Sequence, residues 1–268
     1  MIKTLVAVEM DLASSFAIRY ACRLGQHIKM KLHPVYVKSA PSMEPTTGVG
    51  WAPHTWQREL IQMGKEEIQE MLASEMDSCP VMEEPRVVYG DRGIELLRMV
   101  KQEAIDLYVE GAPQHFTPPT LSKTLRSKFY QRLDRPFIWV RTLRKLDRVF
   151  VLCRDVTGVR TLVRALGRMW QGCRVPLHLA FPEGVGKGEA GPEALLREVV
   201  GKARVELEAE GCRPLLEIPF ASVSGAPPTG IADEYGLIVV TLERELRKDS
   251  PHLKWISEVK VPLMFVFV

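Results

Sequence analysis

C-x-x-C motifs, long apolar runs and an excess of one charge are all missing from this sequence, and each absence argues against a class of function. Its five cysteines (Cys22, Cys79, Cys153, Cys173 and Cys212) are scattered, odd in number and never in a C-x-x-C pair. That predicts reduced thiols serving as core filler in a cytoplasmic protein, with neither a zinc site nor a disulfide framework. No apolar run approaches the ~18 residues a membrane span needs, so no membrane insertion is expected. The start, Met1 to Val8, runs into Glu9 and Asp11 and reads as a buried strand rather than a signal peptide. The 36 basic residues against 33 acidic ones give +3, too balanced to imply a nucleic-acid partner. The densest basic stretch (Lys123, Arg126, Lys128, Arg132, Arg135, Arg141, Arg144 and Lys145) reads as a solvated helix face followed by a charged linker.

Catalytic signatures are absent as well. There is no G-x-S-x-G elbow and no Walker-type G-x-x-x-x-G-K-[ST] motif. The six histidines (His27, His33, His54, His115, His178 and His252) show no metal-ligand spacing, so no metal site is expected. His33 and His178 read as structural, His115 as a loop surface residue, and Asp11 and Asp155 as helix caps. No catalytic residue is assigned, and the chain is expected not to be an enzyme.

What is present is an ordinary globular composition, 46% hydrophobic and 26% charged, in 268 residues. That length fits two domains of roughly 130 residues. Leu5 to Val8 forms a short apolar run, as a strand covered on both faces should. A helix follows from Asp11 to His27, then a strand from Leu32 to Val37 and a helix from Gln57 to Met76. Arg86 to Tyr89 is the third strand, Ile94 to Ala104 a helix, and Leu107 to Val109 the fourth strand. A helix from about Leu121 to Leu133 leads to Pro136–Val140, the fifth. Alternation of this kind predicts a parallel, doubly wound sheet with right-handed crossovers.

The same order then recurs. Val149 to Cys153, Pro176 to Phe181, Leu215 to Phe220, Leu237 to Val240 and Val261 to Val268 are its strands. A helix starting at Asp155 and another from Pro192 to Glu210 lie between them. Ser222 to Gly230 replaces most of the third helix of this copy, which is predicted to be short or lost. Ser39 to Trp56, with Trp51 and Trp56, reads as a long loop able to make a contact, and Glu183 to Gly191 as its flexible counterpart. An internal repeat outweighs any single local assignment. The predicted units are 1–141 and 148–268, joined by a linker at 142–147.

Several ordered segments of the first unit resemble the universal stress protein family. These are Val6-Ala7-Val8-Glu9, then Val88-Tyr89-Gly90-Asp91, then Ile105 to Ala112, and finally Arg135 to Val140. The second unit resembles it more loosely, through Leu237 to Val240 and Val261 to Val266. The resemblance implies two five-stranded Rossmann-like domains that pair through their fifth strands. Phe137–Val140 would then lie against Leu263–Val268 as an intrachain pseudo-dimer, with a homodimer of chains as a further option. An unpaired, strongly apolar edge would otherwise invite aggregation.

ATP-binding members of that family carry a glycine pattern after the fourth strand, because backbone amides must reach phosphate oxygens unobstructed. Here Gly111 holds the first position, Gln114 the second, and Lys123 and Thr124 fall where Gly-Ser/Thr is usual. Pro118 and Pro119 interrupt the loop, Glu9 replaces an aspartate after the first strand, and Val37 stands where a backbone contact to adenine is usual. The remnant nucleotide-site residues are therefore Glu9, Val37, Gly111, Gln114, Lys123 and Thr124. In the second unit Arg154, Thr241, Arg244, Asp249 and Ser250 occupy the corresponding places. The expectation is a stress-response or regulatory protein with no cofactor, acting through an unknown protein partner or small ligand. An ATP-binding switch using an altered first site is the alternative, and a regulator of a membrane transporter a further one.

Overall fold

The computed structural model describes residues 1–39, 52–76, 78–183, 192–212, 215–221, 227–245 and 250–268. The expectations for 40–51, 184–191 and 222–226 lie outside the described residues. In the first half the strands are β1 (Ile2–Val8), β2 (Met30–Lys38), β3 (Arg86–Tyr89), β4 (Leu107–Gly111) and β5 (Phe137–Val140). Between them run α1 (Leu12–Gly25), α2 (Ala52–Met76), α3 (Arg92–Gln102), α4 (Pro118–Leu125) and α5 (Lys128–Arg132). The second half has β6 (Val149–Leu152), β7 (Leu177–Glu183), β8 (Leu215–Ala221), β9 (Leu237–Leu242) and β10 (Leu263–Phe267). Its helices are α6 (Val156–Met169), α7 (Pro192–Ala209) and α8 (Pro251–Glu258), with a 3₁₀ stretch, Thr229–Glu234, where the third helix was expected to shrink.

All ten strands join one sheet in the order β3-β2-β1-β4-β5-β10-β9-β6-β7-β8. Every neighbouring pair is parallel except β5 and β10, which meet antiparallel with Leu263 opposite Trp139 and Phe265 opposite Phe137. The fifth strands therefore do pair within the chain. Phe137 stacks on Phe265 at 4.8 Å, and Trp139 meets Phe265 edge-on at 5.1 Å. The apolar layers on the two faces of the sheet each draw residues from both halves, so the core runs across the seam.

Polar contacts lock the seam. Arg141 is buried at 1% exposure, and its Nη1 donates to the carbonyls of Ile256, Ser257 and Val259 at the end of α8. A cation suits the negative end of a helix dipole, although burial lowers the guanidinium pKa to about 10. Arg244 donates to the Gln131 and Leu133 carbonyls at 2.7 and 3.2 Å and lies 4.4 Å from the Phe267 ring centre. The Tyr20 hydroxyl donates to the Gly236 carbonyl at 2.8 Å, and Arg168 pairs with Asp106 at 2.7 Å.

Four expectations need correction. The helix expected from Leu121 to Leu133 is two helices, because Ser127 is extended and breaks the ladder. The first of them starts earlier, at Pro118, where a reciprocal Thr117–Thr120 cap fixes its entry. Proline is harmless there because first-turn amides have no helical partner. For the same reason α2 extends back through Pro53 to Ala52, so residues 52–56 are helical rather than loop. Arg141 belongs to the interior and not to a solvated face. Finally, Cys22 and Cys79 are joined by a disulfide, with Cα atoms 5.5 Å apart and a separation of 57 positions in sequence. Only packing of α1 against the connection after α2 brings them together, so their spacing gave no sign of it. Cys153, Cys173 and Cys212 are free and buried.

Gly236 tests the fit between the halves. A Cβ there would lie 2.2 Å from the Lys145 carbonyl oxygen, whereas one at Gly201, inside α7, would meet nothing within 4 Å. Gly236→Ala should cost about 1–3 kcal/mol by overpacking, and Gly201→Ala should gain roughly 0.5–1 kcal/mol. Urea unfolding of both variants against the parent checks the opposite signs.

Candidate functional site

Each half reverses its strand order at one point, between β1 and β4 and between β6 and β9. In open α/β sheets a crevice forms there, beyond the carboxyl ends of the strands. In the first half this is a cavity of 390 Å³ lined among others by Glu9, Arg92, Glu110, Phe116 and Trp139.

Its floor is a buried polar network. Glu110, the fourth residue of β4, is only 6% exposed. Its Oε2 accepts from the Tyr108 hydroxyl at 2.7 Å and from Arg92 Nη2 at 3.1 Å. Its Oε1 accepts from Trp139 Nε1 at 2.9 Å, and that same N–H also reaches the Tyr130 hydroxyl at 2.8 Å. Arg92 Nε completes the set on Glu9 Oε1 at 2.7 Å. A buried carboxylate with this many donors is stable where an unpaired one would not be. Burial, reinforced by the Glu110 charge, pushes the Tyr108 hydroxyl well above its usual pKa. For Arg92 burial works against the charge, and Tyr108, Glu110 and Glu9 outweigh it, leaving the guanidinium firmly protonated.

Helix α1 closes one side. Asp11 caps it by accepting from the Ser14 amide at 2.8 Å, and the Glu9 amide donates to Ser14 Oγ at 2.8 Å. A Cβ on Gly111 would lie 2.3 Å from the Ala13 carbonyl carbon and oxygen. Glycine is therefore demanded there by the approach of α1 to β4. The opposite wall is aromatic, with Phe116 stacked on Trp139 at 5.2 Å and the Arg141 guanidinium 4.9 Å from the Phe116 ring centre.

Of the six residues singled out in the sequence, Glu9, Gly111 and Thr124 line this crevice. Thr124 Oγ1 donates to the Thr120 carbonyl at 3.0 Å, inside α4. Gln114 and Lys123 are exposed and do not line it. Val37 is buried in β2, opposite Val88 of β3, and stands apart from it. Sequence reasoning missed Arg92, Glu110, Trp139, Tyr130 and Phe116. The one available signal was an acid closing the apolar run Leu107–Val109, in register with Trp139 across the β4–β5 ladder.

At the matching place in the second half the first-strand acid is replaced by a base. Arg154 follows β6 where Glu9 follows β1, and Asp155 caps α6 through the Gly158 amide at 2.7 Å. Thr241 is buried, and Arg244 is taken up by the seam. Asp249 lies outside the described residues, and Ser250 precedes α8 without a side-chain cap. His252 is buried with no hydrogen-bond partner on either ring nitrogen. Burial, aided by the Arg154 charge, lowers its pKa from 6.5 to about 3. His178 is also placed by packing, its Nδ1 lying 2.9 Å from the Tyr235 hydroxyl.

No family model matches the sequence, and comparison with curated proteins finds no match. Solved structures do match. A universal stress protein from Archaeoglobus fulgidus superposes with a TM-score of 0.58 at 11% identity, over 99% of this chain and 98% of that one. A protein of unknown function from Pseudomonas aeruginosa gives 0.56 at 14% identity, over 99% and 92%. The chain thus has the tandem universal-stress-protein fold. Among the described residues no helix is long and apolar enough to cross a membrane.

Three variants probe the two halves. Glu110→Ala leaves the buried Tyr108 hydroxyl without its acceptor, while Trp139 keeps Tyr130 and Arg92 keeps Glu9; it should cost about 1–3 kcal/mol, and Glu110→Gln, which keeps one acceptor, should cost less in the same denaturant titration. His252 acts through pH. Below pH 6.5 the unfolded chain binds a proton that the folded ring refuses until about pH 3. Its stabilising effect is therefore complete above pH 6.5 and declines as pH falls, by up to about 1.4 kcal/mol per unit. Melting temperatures from pH 7 to 4 should fall less steeply in His252→Leu than in the parent, and parallel curves would refute the assignment.

Proposed function

We propose that this chain, built on the tandem universal-stress-protein fold, is a non-enzymatic regulatory protein that binds a small ligand or partner and does not hold ATP in the manner its fold family is known for. The observation that supports this reading is the Arg92 bridge to Glu9 and Glu110. It fills the first crevice with paired charge. Together with Asp11, three carboxylates face one guanidinium around a cavity of 390 Å³. A triphosphate brought there meets like charge, and the desolvation of Arg92 is already compensated by protein carboxylates. The aromatic wall and acidic floor suit a neutral or cationic ligand with a flat apolar face better.

A nucleotide switch is the second reading, because Thr124 borders the same crevice and Lys123 precedes it on α4. Calorimetric titration with ATP, preceded by analysis of nucleotide released from denatured protein, separates the two. The expected result is no released nucleotide and no heat up to millimolar ATP. Micromolar binding weakened by Thr124→Ala would replace the proposal with the switch.

A further inference from the structure

We propose that Cys22 and Cys79 form a reversible thiol–disulfide exchange site taking a small-molecule disulfide of the oxidised-glutathione class, and that its state sets how firmly the connection into β3 is held against α1.

The two halves supply the argument. Cys22 is the eleventh residue of α1, and Leu166 is the eleventh of α6. Cys79 stands three residues beyond the end of α2, and Cys212 three beyond the end of α7. In the second half this joint closes with the Cys212 thiol 3.9 Å from the Leu166 carbonyl. No bridge is present there, and the joint still packs. The fold therefore does not require a covalent tie at this place, and large cores on both sheet faces remove the need that small scaffolds have for one. What the bridge adds in the first half is a chemical state.

Access is selective. Of the five cysteines, Cys22 alone is half-buried, while Cys79 is 2% exposed and the other three are buried. Burial further suppresses the thiolates of Cys153 and Cys212, whose pKa values rise to about 12 and about 11. Exchange therefore enters at Cys22. Its thiol gives a proton to solvent, and the thiolate attacks one sulfur of the small disulfide, releasing one small thiol. Cys79 then loses its proton and attacks Cys22 Sγ, releasing the second small thiol. Two electrons pass from the cysteine pair to the small disulfide, and excess small thiol reverses both steps.

The bridged segment leads to the crevice. Residues 81–83 run beside β2, with the Leu32 amide donating to the Val81 carbonyl at 2.8 Å and the Glu83 amide to the Leu32 carbonyl at 2.9 Å. They continue into β3 and then to Asp91, whose side chain caps α3 just before Arg92. With the bridge open, the Arg19–Glu75 ion pair at 2.6 Å still ties α1 to α2.

The test equilibrates the full-length protein in glutathione buffers of varied ratio, traps free thiols with iodoacetamide and maps peptides without reduction. The Cys22–Cys79 link should form and disappear with the ratio in both directions, while Cys153, Cys173 and Cys212 react only after denaturation. Amide hydrogen exchange over residues 79–95 should be roughly tenfold faster in the reduced protein, and in Cys22→Ser under either buffer. A bridge that survives millimolar reduced glutathione is a fixed staple and overturns the proposal. So does a bridge that never forms under oxidised glutathione, or equal exchange rates in the two states.

Discussion

The antiparallel meeting of β5 and β10 is the constraint on which the rest of the molecule depends. Each half by itself would end in an edge strand of large apolar side chains, and all four residues of β5 are buried in the joined sheet. Such edges associate with whatever they meet. Joining them satisfies both ladders at once and fixes the angle between the halves. Arg141 can then reach the end of α8, and Arg244 the end of α5. The seam also reaches the first crevice. Trp139, which donates to Glu110, lies opposite Leu263 and packs edge-on against Phe265 of the other half. The polar floor of the first half is thus positioned partly by the second.

Shared architecture has not kept the two crevices alike. After the first strand of each half stand Glu9 and Arg154, of opposite charge, and an aspartate-capped helix follows each, after Met10 in the first half and directly in the second. The first crevice matches its acids with Arg92, Tyr108 and Trp139. The second instead leaves His252 buried without a hydrogen-bond partner and held neutral beside Arg154. Backbone geometry is common to both because strand pairing and helix capping are local demands. Side-chain chemistry at the strand ends carries no such demand and is free to diverge.

How much of this was legible in the sequence follows from the same distinction. Apolar runs alternating with amphipathic stretches located all ten strands, because a strand covered on both faces must be apolar throughout. Asp11 and Asp155 were readable as caps because a cap acts within three residues of itself. The Cys22–Cys79 bridge, the Arg141 and Arg244 contacts and the Glu110 network were not readable. Each joins residues whose neighbourhood is created by the sheet order rather than by spacing along the chain. Arg141 shows the cost most plainly, since a charge beside other charges reads as solvated until the helix end that receives it is in view. Short α8 escaped for a different reason, its eight residues being too few for periodicity to declare a helix.

Gly111 shows why a motif position has to be read through its packing. It stands where the first phosphate-binding glycine is found in ATP-binding relatives of this fold, and its presence alone would argue for a retained site. Yet a side chain there would strike the Ala13 backbone at 2.3 Å, so α1 demands glycine whether or not a phosphate ever approaches. The residue is over-determined, and its identity cannot tell the two demands apart. Discrimination passes to positions with no such packing reason. Gln114 and Lys123 are exposed, and neither is the glycine a phosphate cradle needs. The functional reading therefore leans on the Arg92 bridge to Glu9 and Glu110, charges that the approach of α1 to β4 does not itself dictate.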